Sequence, residues 1–244
     1  MWHRLIDDWL ATPPAIWGKL PDHADFVRSG MRHGELEAWT TWLDEQGRSA
    51  PIDDWERAVA VPVAFVLPPG TLAFAPRRFV LGVIAPSVDR VGRHHPLVVY
   101  QKAHPRWVRR HFEAQHRRPC DWQFWLARAV ARHMRVDGLA MFAAMEGTLR
   151  ALWRDRSAFL KTDLRDDAAA SQACRMHALL DRFAGPAPQD DPSARLHGVR
   201  YLPWADWPER LRGSAVESAF WQQDAQGRFV GAATRLQKLW SNSP

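Results

Sequence analysis

The order of apolar segments predicts an α+β fold, an antiparallel β-sheet flanked by helices, and three observations carry that expectation. Residues 59–101 hold β-branched and aromatic runs of strand length, separated by turns that contain proline and glycine. After Pro105 the apolar spacing changes to the helical period. Near the C-terminus a strand-like pair returns, Glu217–Gln222 and Arg228–Ala233, across the loop Gln223-Asp224-Ala225-Gln226-Gly227. Strands, then helices, then strands again describe a sheet covered by helices rather than an alternating parallel fold.

The elements follow in order. Trp2, Leu5, Ile6, Trp9 and Leu10 recur at helical spacing and predict an amphipathic helix over residues 2–10, ended by Pro13-Pro14. Ala15–Leu20 reads as a short strand and Pro21–Asp25 as a turn. Leu36, Trp39, Trp42 and Leu43 predict a helix from His33 to Gln46, with one more helical turn at Trp55–Ala58. Val59–Leu67 is a strand whose Pro62 points to an edge or a bulge, because proline cannot donate to a ladder. Pro68-Pro69-Gly70 is a turn, Leu72–Phe74 and Phe79–Ala85 are strands, and Pro96–Gln101 pairs back across Ser87–Arg93. Helices are expected at Arg106–Gln115, Asp121–Arg135, Leu139–Trp153 and Asp163–Ala184, and a short one at Arg235–Trp240.

The late hairpin is expected to rejoin the same sheet, so residues 1–244 read as a single domain. Its parts are a strand core at 15–102, a helical segment at 103–184 and a C-terminal segment at 193–244, after the linker Gly185–Pro192.

Composition narrows the function. Hydrophobic residues make up 46% and charged residues 25% of the chain, ordinary proportions for a water-soluble domain. No apolar run approaches the roughly 20 residues that span a bilayer. The N-terminal stretch contains Asp7 and Asp8, which disqualify it as a secretory signal, so a cytoplasmic location without membrane insertion is expected. Cys120 and Cys174 are taken as reduced packing residues. The net charge is +6, yet only Lys19, Lys102, Lys161 and Lys238 are lysines, and the arginines are interspersed with acids. Arg106, Arg109, Arg110, Arg117 and Arg118 therefore read as a solvated helix face rather than a nucleic-acid groove. The 14 tryptophans, as in Trp39/Trp42 and Trp122/Trp125, fall at core spacing.

Two phrases concentrate polar residues beside buried strands. The first is Trp17-Gly18-Lys19-Leu20-Pro21-Asp22-His23-Ala24-Asp25-Phe26, and the second is Pro86-Ser87-Val88-Asp89-Arg90-Val91-Gly92-Arg93. Ser87, Asp89 and His94 or His95 make a triad on paper, but residues crowded into one short turn rarely reach triad geometry, and no nucleophile elbow surrounds Ser87. Histidines 94, 95, 104 and 111 lack metal-ligand spacing, and Trp17-Gly18-Lys19 lacks the glycine run of a phosphate loop, so no cofactor is expected. A structural reading has Asp25 and Asp89 accepting backbone N–H groups to fix tight turns, Arg90 or Arg93 pairing with Asp89, and Lys19 snorkelling over apolar neighbours. A second reading joins the two turns into one partner-facing surface.

These residues resemble the TagF family of type VI secretion-associated proteins. Trp17–Phe26 is similar to the family's W-x-G-K-L-P-x-x-G-D-F phrase, with Ala24 where glycine is expected, and Pro86–Leu97 to its P-S-x-D-x-x-G-R-x-x-P-L phrase. The resemblance covers residues 15–102. It implies a sheet platform of the longin or profilin kind and a non-enzymatic cytoplasmic regulator. Such a regulator represses assembly of the secretion apparatus by binding a forkhead-associated scaffold protein. Trp17, Gly18, Lys19, Leu20, Pro21, Asp25, Phe26, Ser87, Asp89, Arg90, Gly92 and Arg93 are then the motif or partner-binding residues. The competing expectation is a small hydrolase or ligand-binding enzyme that uses Asp25, Asp89 and a nearby histidine.

Overall fold

The computed structural model describes residues 10–46, 62–109, 122–134, 141–155, 166–186, 217–223, 229–233 and 235–236. The expected N-terminal helix (except Leu10), the turn at 55–58, most of 106–115 and of the 185–192 linker, and the C-terminal helix beyond Leu236 lie outside them.

Seven strands form one antiparallel sheet: β1 (Ala15–Gly18), β2 (Val27–Ser29), β3 (Val63–Leu67), β4 (Phe79–Ala85), β5 (Leu97–Ala103), β6 (Ala219–Gln223) and β7 (Phe229–Ala233). Their order across the sheet is β2-β1-β5-β4-β3-β6-β7. The helices are α1 (Glu35–Glu45), α2 (Trp122–His133), α3 (Met141–Asp155) and α4 (Asp166–Ala184).

Strands β3 and β4 are apolar and buried at every position because both faces are covered. Val63, Phe65 and Leu67 of β3 join Trp39, Trp42 and Leu43 of α1 in one core, with Tyr100 and Phe220. Ala64 and Val66 point the other way, into a core with Trp122, Trp125, Met145 and Leu180 from α2, α3 and α4. The two-residue alternation of a strand thus serves two hydrophobic layers instead of one. The tryptophans at core spacing are all buried here: Trp39, Trp42, Trp122 and Trp125.

Two expectations change. Val63–Leu67 is neither an edge nor bulged: it runs in continuous register with β4, from Val63↔Ile84 to Leu67↔Val80, and pairs with β6 on its other side. Pro62 lies just before the strand, where its missing N–H costs the ladder nothing. Residues 72–74 are not a strand. Gly70 donates to the Ala75 carbonyl and Ala75 to that of Leu72, so this is a folded loop whose Leu72 and Phe74 plug the α1 core. The short strand β2 had no sequence expectation.

The late hairpin joins the sheet as expected, with Phe65↔Phe220 in register. Cys174 is an exposed free thiol on α4. Among the described residues no helix is long and apolar enough to cross a membrane.

Candidate functional site

The two polar phrases meet. β1 delivers Lys19 into the interior, and its ammonium lies 2.6 Å from the Asp89 carboxylate, with side-chain exposures of 7% and 0%. Lys19 is therefore an ion-paired anchor and not a snorkelling surface lysine. Asp89 is saturated. One oxygen accepts the backbone N–H groups of Val91 (3.0 Å) and Arg93 (2.8 Å), and the other accepts Lys19 Nζ and Arg93 Nε (2.7 Å). Burial alone pushes the Asp89 pKa up, but these donors outweigh it and hold the carboxyl well below the usual range.

The rest of the contact is backbone-to-turn. Ser87 donates its hydroxyl to the Lys19 carbonyl at 2.7 Å. The Arg90 N–H reaches the His23 carbonyl at 2.9 Å, and the Arg93 guanidinium donates to the Ala24 carbonyl. Gly92 sits at φ 84° and closes the turn by donating to the Asp89 carbonyl, a conformation glycine adopts without strain. Gly18 is required for a second reason: at φ 142°, a Cβ there would lie 2.2 Å from the Pro96 carbonyl oxygen. The first phrase also grips the helical layer, because Asp22 accepts the Met141 N–H at 3.0 Å and so caps the start of α3.

Around this knot stands an aromatic cluster. Phe26 stacks on Trp17 at 5.8 Å between ring centroids, meets the His95 ring edge-on at 4.6 Å, and lies under Lys19 Nζ at 5.2 Å. Leu20 is buried and Pro21 exposed. Asp25 does not fix its turn. Its carboxylate is 97% exposed and only 3.8 Å from the Arg93 guanidinium, while Asp22 does the anchoring expected of it.

The paper triad does not assemble. The Ser87 proton is committed to Lys19 O, Asp89 is surrounded by cations and N–H donors, and the His95 ring packs on Trp17 and Phe26 with Nδ1 against the Pro96 carbonyl. Among the described residues no three histidine, cysteine, aspartate or glutamate side chains converge as metal ligands. Arg106 and Arg109 are exposed, and the other members of that basic cluster lie outside the described residues.

A second buried polar cluster went unread in the sequence. Glu35, 2% exposed at the start of α1, accepts hydrogen bonds from the Tyr100 hydroxyl and Lys102 Nζ of β5. Burial and the Glu35 charge push the Tyr100 pKa far up, so the phenol stays a donor. A signal existed: Glu35 falls in register with Trp39, Trp42 and Leu43 on the apolar stripe of its helix.

The model of the TagF N-terminal domain, type VI secretion system-associated, matches residues 15–152. The chain belongs to the TagF family. The TagF match takes in both turns, α1, strands β1–β5 and α2, and ends within α3, whereas the sequence motifs alone stop near residue 102. The chain is also similar to the crystal structure of PA0076 from Pseudomonas aeruginosa PAO1. Identity is 19% over 92% of this chain and 88% of that one, with a TM-score of 0.40. A comparison with curated proteins gave no match.

Proposed function

We propose that this type VI secretion-associated protein is a non-enzymatic cytoplasmic regulator that represses assembly of the secretion apparatus by binding a forkhead-associated scaffold protein. The observation that carries the reading is the interlock of the two TagF phrases. Lys19, Ser87, Asp89 and Arg93 are already spent on holding the turns together, and what faces solvent is the outer surface of that preformed interlock. Rigid, preformed surfaces suit recognition because little ordering entropy is lost on contact. The restriction of the family match to the part of the chain that contains both turns supports the same reading.

The test pairs a pull-down of the scaffold with a secretion assay. Deleting the protein is expected to raise secretion, and the purified chain is expected to retain the scaffold. Unchanged secretion together with no capture overturns the reading.

A further inference from the structure

Of the three large hydrophobic side chains exposed among the described residues, two stand on the interlocked turns: Phe26, 48% exposed, and Val91, 62% exposed. Phe26 is not a loose surface ring. It is clamped between Trp17 and His95 and under the Lys19 ammonium, so it presents half its surface in a fixed orientation. Fixed aromatic side chains at the centre of a surface are the usual anchors of protein–protein contacts.

The charge left without an ion-pair partner beside these two side chains is basic. Arg28 follows Phe26 by two residues and is exposed with it, while Val27 between them is buried, so the pair shares a side of β2. Arg90 adjoins Val91 and is exposed. Neither guanidinium has an ion-pair partner among the described residues, in contrast to Arg93, which is consumed by Asp89 and Ala24. Of the nearby carboxylates, Asp25 sits against Arg93, Asp22 holds His23 and the Met141 N–H, and Glu146 holds Ser29 and Arg150.

We propose that the interlocked turns dock an acidic segment of a protein partner, with Phe26 and Val91 as the apolar centre and Arg28 and Arg90 pairing with its carboxylates. This rests on the partner-binding reading above and adds the chemistry of what is bound. An apolar centre flanked by unpaired arginines favours a protein segment over nucleic acid, because a phosphate backbone offers Phe26 and Val91 nothing to cover. The arginines speed encounter and fix orientation, and the clamped ring supplies the residence time.

The experiment uses the full chain and a fluorescein-labelled peptide of alternating aspartate and leucine, with a lysine-for-aspartate peptide as control. Fluorescence anisotropy at low and moderate salt is read for the wild type, for Arg28→Glu with Arg90→Glu, and for Phe26→Ser with Val91→Ser. The arginine variant touches no folded contact, so it stays informative if the apolar variant unfolds. The expected result is binding of the acidic peptide alone, weakened about tenfold or more by either variant, roughly 1.4 kcal/mol or more, and weakened by salt. Equal binding by wild type and the arginine variant, or none by wild type, overturns the proposal even where the scaffold is still captured. So does a labelled DNA duplex that displaces the peptide and is itself lost in the arginine variant. Peptide binding without scaffold capture sinks the scaffold reading and leaves the docking chemistry standing.

Discussion

Asp89 does at one carboxylate what a turn usually needs several residues to do, since two cations and two backbone N–H groups converge on it. Lys19→Met removes one cation from a site sealed from water. It is expected to lower the urea midpoint far more than Arg90→Ala, an exposed change worth no more than about 0.5 kcal/mol. Equal midpoints for the two variants would show that the pair contributes nothing. A second residue contributes to the acid response. His133 donates from Nε2 to the Thr148 hydroxyl, whose own proton goes to the Ala144 carbonyl. Burial first, and the Arg132 charge second, push its pKa down to about 4. A base held neutral in the fold but protonated in the unfolded chain gives stability that is complete above about pH 6.5 and lost as the pH falls from there to 4, up to about 3 kcal/mol. Asp89, with its pKa lowered, loses its share in a separate window below about pH 4. Denaturation midpoints at pH 7.5 and 5 are expected to differ in the wild type and to differ less in His133→Gln, the remainder coming from His177, whose pKa burial and the Arg128 charge also lower.

At the scale of elements, α1 is fastened to β5 by Glu35, which holds Tyr100 and Lys102. Glu35→Ala leaves a buried lysine and phenol without their acceptor, at a cost of about 3 kcal/mol. Amide exchange of α1 is expected to quicken while that of β4 stays slow, and uniform quickening would mean that α1 is not a separable unit. β1 depends on Gly18 in the same way. Gly18→Ala drives a methyl into the Pro96 carbonyl and is expected to cost at least ~2 kcal/mol, read from thermal unfolding. Most elements were legible in the sequence because they are long and periodic, as in Trp122–His133 and Phe79–Ala85. β2 was not, because three residues, of which only Val27 is buried, carry no alternation to detect. Residues 72–74 misled in the opposite direction, since apolar side chains that plug a core from a loop look like a strand. The candidate site was legible as two phrases. Their union was not, because Lys19 and Asp89 are 70 positions apart and no local pattern encodes such a contact.

At the scale of the molecule, the sheet is closed by strands distant in sequence. The family match ends at residue 152, yet β6 lies beside β3 and buries Phe220 and Trp221. We expect a chain cut to residues 15–152 to leave β3 as an open apolar edge, and to associate in size-exclusion chromatography, where the full chain elutes as a discrete species. A monodisperse, cooperatively unfolding fragment would show that the hairpin is dispensable. The same placement of β6 governs how the protein comes into being. Val63–Leu67 emerges from the ribosome about 150 residues before Ala219–Gln223 does, on the order of 10 s or more at ordinary rates of translation. Throughout that interval its outer edge is apolar and lacks its partner strand, so the nascent chain is expected to need chaperone cover until Ala219–Gln223 has been made.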